Sequence, residues 1–228
     1  MPVINPSRFR KVLVRNPDQE PPAIFDAAWY LEMYPDIVGT DPSAHFNSVG
    51  WAEGRKPHPL FDTDWYLATY PDVDASGRNP LAHYLELGWR EGRSPHPLFD
   101  TPWYLDTNPD VREAGIDPLM HYVTTGWDEG RDPHPLFDSA WYTRTYKDAS
   151  GKVPLIHYVE VGAGQLRRPN AIFDAAWYAG ENPDAAEDPL THYVTQGRAR
   201  HLSPSPLFDV AYYLEQNQDI AASNICPL

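Results

Sequence analysis

"GWREGRSPHPLFDTPWY" (residues 88–104) packs a Trp, an Arg–Glu–Arg cluster, a His between two prolines and an aromatic pair into one short stretch. Taken alone it suggests a site that does chemistry. Its near-duplicates "GWAEGRKPHPLFD" (50–62) and "GWDEGRDPHPLFD" (126–138) make it instead a joint between copies. The Phe–Asp pair inside it recurs at Phe25–Asp26, Phe61–Asp62, Phe99–Asp100, Phe137–Asp138, Phe173–Asp174 and Phe208–Asp209, in steps of 36, 38, 38, 36 and 35 residues. Four positions after each Phe stands an aromatic pair, from Trp29–Tyr30 to Tyr212–Tyr213. A second mark follows at His45–Phe46, His83–Tyr84, His121–Tyr122, His157–Tyr158 and His192–Tyr193. Such a period is the signature of a tandem array, here five complete units and the start of a sixth.

Each unit reads as two short helices. Asp62 is placed to cap the first, its carboxylate accepting from the free amides of "TDWYLATY". Trp65, Tyr66, Thr69 and Tyr70 form a helical stripe, and Pro71–Asp72 end or sharply tighten that helix. Asn79 and Pro80 open the second helix. Leu81, Tyr84, Leu85 and Gly88 fall on one face, with Gly88 as the expected C-terminal stop. Helices this short are marginal alone, so each unit must cover its neighbour. The expected fold is all-α: tandem two-helix repeats of about 35–38 residues, stacked as a compact or superhelical solenoid. Residues 1–21 would form an N-terminal arm or cap, with the apolar side of "RFRKVLVR" (8–15) laid on the first unit, and 22–228 the array. "SNICPL" (223–228) aligns with "AGIDPL" (114–119), so the sixth unit reads as cut inside an element, with a further C-terminal domain expected beyond it.

Composition narrows the function classes. The formal net charge of −14 argues against nucleic acid, whose binding needs a basic surface, and against an anionic membrane surface. A single cysteine, Cys226, leaves no intramolecular disulfide and no Cys-based zinc site. No stretch approaches a membrane span, and the N-terminus lacks the apolar core of a signal peptide. A cytoplasmic protein is the simpler expectation, with export lacking an N-terminal signal as the alternative. The 25 prolines forbid long helices.

Side chains that could carry chemistry are judged copy by copy. Phe–Asp and Trp–Tyr stand in every unit, as stacking requires; a single active site would not repeat so uniformly. The second-helix histidine, as in His83, is expected to hydrogen-bond a neighbouring unit or its loop. Its metal alternative would pair it with a loop histidine such as His96 and an Asp. The joint behaves differently. At "GAGQLRRPNAIFD" (162–174) and "GRARHLSPSPLFD" (197–209) the Trp, the Glu and the Pro–His–Pro are lost together while Phe–Asp survives. In a structural account, Trp51, Trp89 and Trp127 pack over the helix terminus. Arg55, Arg93 and Arg131 then pair with a carboxylate, the "Pro–Asp" aspartate being the natural choice, and lock adjacent units. In a functional account, Trp51, Glu53, Arg55 and His58, with Trp89, Glu91, Arg93 and His96 and with Trp127, Glu129, Arg131 and His134, form three shallow sites suited to a glycan or an extended peptide. No calcium loop, phosphate loop, nucleophile elbow or His-Glu-x-x-His is present, and Asp72-Val73-Asp74 matches a metal-dependent glycosyltransferase motif by chance. No cofactor is expected.

The unit Phe-Asp-x-x-Trp-Tyr-Leu, then Pro-Asp-Val, Pro-Leu-x-His-Tyr and Gly-Trp-x-Glu-Gly-Arg-x-Pro-His-Pro-Leu, resembles a bacterial tandem repeat. That repeat accompanies glycosyltransferases and polysaccharide-biosynthesis proteins and occurs in some large secreted repeat proteins. The resemblance covers about residues 22–228 and carries no catalytic residues of its own. It implies a non-catalytic accessory module that binds, spaces or scaffolds, with a protein or glycan partner. A lectin-like array and a glycosyltransferase fragment are the alternatives.

Overall fold

The computed structural model describes residues 24–223; the expected N-terminal arm (1–21) and most of "SNICPL" lie outside them. Among the described residues the chain is helical throughout, with no strand beyond isolated bridges at the joints. The six units are successive coils of a solenoid, beginning at the six Phe–Asp pairs.

Coil 2 shows how the sequence builds one. Asp62 lies in extended backbone and its Oδ1 accepts from the Trp65 amide at 3.0 Å, starting the helix Thr63–Thr69. Pro71 stops that helix and starts a short one, Pro71–Ser76, which turns out through Gly77 in the left-handed region (φ 65°). The Asn79 side chain then accepts from the Leu81 and Ala82 amides and opens Pro80–His83. This second helix widens by one residue per turn over Tyr84–Gly88. Caps at Asp26, Asp100, Asp138, Asp174 and Asp209 repeat the first start.

Gly88 does not stop the helix. The helical backbone runs on into Trp89, and the left-handed exit is Gly92 (φ 74°), matched by Gly54 and Gly130. Gly88 instead leaves room for a ring, because a Cβ there would collide with the Tyr66 hydroxyl. Every complete coil shows the same near-contact, at Gly50, Gly88, Gly126, Gly162 and Gly197.

The coils close and stack through the joints. The Asp62 amide, at the start of coil 2, donates to the Pro95 carbonyl at its end (3.0 Å), and Asp26–Pro57, Asp100–Pro133, Asp138–Pro169 and Asp174–Pro204 repeat the bond. Consecutive joints therefore lie side by side in a column. The core is aromatic: Phe61, Tyr66 and Tyr84 pack at centroid distances of 5.3, 5.8 and 6.2 Å, and both tyrosines are fully buried. Neighbouring coils also meet through side chains, with the Tyr84 hydroxyl 3.3 Å from Asp117 of coil 3.

The solenoid also curls back on itself. Trp29 of coil 1 donates its indole N–H to Glu160 of coil 4 at 2.8 Å. The array therefore turns far enough for coils 1 and 4 to meet.

Candidate functional site: the joint

The structure splits the joint into two parts with separate surroundings. The outer part is a clasp around arginine. In coil 2, Arg93 donates from Nη1 and Nη2 to the two carboxylate oxygens of Asp72 (2.9 and 2.7 Å) and from Nε to Glu91 (2.7 Å). Its guanidinium lies over the Tyr70 ring, 5.1 Å from the centroid. Arg55 makes the same set with Asp36, Glu53 and Tyr34. Arg131 does so with Asp110 and Glu129, adding Asn108 where coils 1 and 2 have Tyr34 and Tyr70. The expected partner, the "Pro–Asp" aspartate, is the one found. The expected lock between adjacent units is not: each clasp ties the end of the first helix to the joint of its own coil, because the coil closes on itself before the next begins.

A fourth clasp lies outside the expected three. Arg167 holds Asp148 at 2.8 and 2.9 Å, with Gln165 in place of Glu. Its signal is in the sequence: Arg167 stands six residues before Phe173, as Arg55 stands before Phe61. The arginine neighbours hold Asp36, Asp72 and Asp110 below the usual carboxylate range, Asp110 to about 2. These aspartates are exposed, so the pairs stabilise by geometry more than by charge.

The inner part is a turn built on histidine. His58 Nδ1 accepts from the Leu60 amide at 3.0 Å, His96 from Leu98 at 3.1 Å and His134 from Leu136 at 3.0 Å. That bond leaves the ring proton on Nε2. Burial pushes His58 and His96 down to about 4 and His134 to about 3, so all three are neutral. At the divergent joint Asn170 does the same work, its Oδ1 accepting from Ile172 and Phe173. Among the described residues no hydrogen bond or ion pair joins these histidines to the clasp. The tryptophans are core elements too. Trp89 is 7 % exposed, with Arg90 stacked 4.2 Å from its ring centre, while Trp51 and Trp127 are half-buried against the core.

The second-helix histidines bond within their own coil, not to a neighbour. Tyr66 meets His83 Nδ1 at 3.0 Å, and the pair recurs as Tyr30–His45, Tyr104–His121, Tyr142–His157 and Tyr178–His192. In coil 4 the ring continues to Asp148 at 3.3 Å, and in coil 5 His192 reaches Asp184 at 3.2 Å. A Tyr–His–Asp chain has the parts of a proton relay. Here the tyrosines are fully buried, and that burial raises their hydroxyls above the ordinary tyrosine value. No group of three or more His, Cys, Asp or Glu among the described residues is placed to hold a metal ion. No helix among them is long and apolar enough to cross a membrane.

No family model matches the chain, and neither a curated protein nor a solved structure does.

Proposed function

We propose that the array is a non-catalytic module for binding and spacing, a curled rod whose repeated polar groups hold the rod together. One observation carries this reading. The joint's Arg, Glu and His are engaged the same way in coil after coil, in clasps and turns internal to the protein. Turnover needs a nucleophile, acid or base free to meet a substrate, and repetition of identical closed contacts is what stacking needs instead. Residues 1–228 are expected to show no hydrolysis of sugar nucleotides, and their melting temperature should fall as terminal coils are removed. Sugar-nucleotide hydrolysis abolished by His157→Asn would overturn the reading.

A glycan-binding array is the second reading, favoured by the outer position of Glu53, Glu91 and Glu129, each about half exposed. Replacing Trp51, Trp89 and Trp127 by Phe separates the two. Loss of glycan binding with helicity intact supports the glycan array; loss of helicity supports the packing role.

A further inference from the structure

Among the described residues five buried side-chain polar atoms lack a hydrogen-bond partner, and four of them gather at two boundaries between coils. Thr101 Oγ1 and Asp117 Oδ2 lie where coil 3 meets coil 2, and the Tyr158 hydroxyl and Thr191 Oγ1 where coil 5 meets coil 4. At both, an aspartate that caps a second helix, Asp117 or Asp188, stands beside the core tyrosine of the coil before it, Tyr84 or Tyr158. Two other boundaries are built differently. Coil 4 has Val153 at the cap, and Tyr122 turns to Ser139 at 3.5 Å. Coil 2 has Asn79 at the cap, where coil 1 presents Phe46 with no hydroxyl.

The bonds of Asp117 are those of a neutral acid. Its Oδ1 accepts from the Met120 amide at 3.1 Å and from the Tyr84 hydroxyl at 3.3 Å, while the buried Oδ2 accepts from nothing. One oxygen is thus the carbonyl acceptor and the other is free to carry a proton. An ionised carboxylate held this way leaves half of its charge out of water without a donor. Arg90 faces it from coil 2, but that guanidinium is stacked on Trp89 and donates to the Glu86 carbonyl. Asp188 repeats the arrangement. Its Oδ1 accepts from the Thr191 amide at 3.1 Å, and Lys56, which faces it from the joint of coil 1, is paired with Asp62 at 2.7 Å. Burial raises both carboxyls, Asp117 to about 6.

We propose that these two boundaries are proton-held seams: Asp117 and Asp188 are neutral acids while the coils are closed on each other, and loss of the proton loosens coil 3 from coil 2 and coil 5 from coil 4. Rising pH therefore makes the array more supple at two set places, whereas the boundary at Val153 has no such carboxyl and does not respond. The sign is opposite to that of the histidine turns, where burial disfavours the proton. The inference is independent of what the array binds.

Asp117→Asn tests the seam. Asparagine already caps the equivalent helix of coil 2, so the variant keeps the helix start and fixes the neutral form. Amide exchange is compared between the variant and the unaltered chain at about pH 5 and about pH 7.5, where the histidine contributions cancel in the ratio. For Leu119 to Tyr122, protection in the variant relative to the unaltered chain should rise about tenfold between the two, one pH unit of differential proton binding. The same ratio for Leu155 to Tyr158 should stay constant. In the unaltered chain, carbon NMR of the Asp117 carboxyl should give a midpoint near 6, and a higher one in Tyr84→Phe, which removes a donor to the carboxylate. A protection ratio independent of pH overturns the proposal, as does an equal response at Leu155 to Tyr158. So does a midpoint at the ordinary value of about 3.9, or one that falls in Tyr84→Phe.

Discussion

Glycine does two distinct jobs in each coil, and substitution separates them. Gly126 sits where the Tyr104 hydroxyl passes on its way to His121 Nδ1, at 2.9 Å from the ring nitrogen. Gly126→Ala must displace a fully buried tyrosine, an overpacking change costing about 1–3 kcal/mol. Melting should drop by several degrees, at about 2–4 °C per kcal/mol for a chain of this size. Gly130 has nothing within 4 Å of a built Cβ, but its φ is 74°. Its replacement by Ala should cost about 1 kcal/mol for backbone reasons alone. The converse is available in coil 5, where exposed His201 holds that left-handed position at φ 54°. His201→Gly should raise stability by about 1 kcal/mol, measured as a shift in the urea midpoint. An unchanged or lower midpoint would count against strain at that residue. The sequence places both glycines in the unit but mistakes the first for the helix stop. The tyrosine that needs its space lies about 22 residues earlier, beyond what helical spacing can report.

At the scale of an element, the histidine turn makes the joint sensitive to acid. Unfolded histidine titrates near pH 6.5, whereas burial keeps His58 and His96 neutral to about 4 and His134 to about 3. Above 6.5 neither state binds these protons and stability is flat. As pH falls below 6.5 the unfolded chain takes them up and the fold does not, so stability declines through the window down to about 4. Each histidine adds a slope of up to about 1.4 kcal/mol per pH unit. Asp117 works the other way: burial raises it to about 6, so the fold gains stability as that carboxylate protonates between about 6 and its ordinary value. Burial raises Asp132, Glu160 and Asp188 in the same sense. His83, His121 and His157 are lowered by burial, and Asp36, Asp72, Asp110 and Asp148 by their arginines, which adds to acid instability. The turn's own share is therefore read as a difference between variants. His134→Asn copies the asparagine that caps the next joint and should flatten the fall of the urea midpoint between pH 6.5 and 4.5. An identical pH profile would mean that His134 does not stay neutral in the fold. The caps and the helices are visible in sequence because they depend on residues a fixed, short distance apart. The Arg–Asp pairing, across 19–21 residues, is visible because the repeat sets one such arginine against one turn aspartate in each unit. The separation of the Pro–His–Pro turn from the Arg–Glu clasp is not. Five consecutive residues, Glu91 to Pro95, lead from a solvent-facing carboxylate to a buried proline, and only the folded path of the loop tells them apart.

For the whole molecule, the superhelical return is the feature furthest from the sequence, since it depends on the small rotation between coils summed over three of them. Its visible contact is Trp29 to Glu160. Glu160 is largely buried, and that burial, with Asp26 and Glu32 nearby, raises its carboxyl above the usual value despite the indole donor. A hydrogen bond to a charged group contributes about 1.5–3 kcal/mol when its partner would otherwise be left unmet. In a stacked array that loss should stay local, because each coil's stability is set by its own neighbours. Trp29→Phe should therefore speed amide exchange in the coil 1 helix Ala27–Met33 while the core tyrosines of coils 2 and 3 keep their protection. The same substitution strands a carboxylate among two others, and Glu160→Gln should relieve it. The double variant is thus expected to be more stable than the two single losses added together, by about 1 kcal/mol or more in a double-mutant cycle. Additive losses would mean that coils 1 and 4 touch without coupling, and that the curl is set by the stacking of neighbouring coils alone.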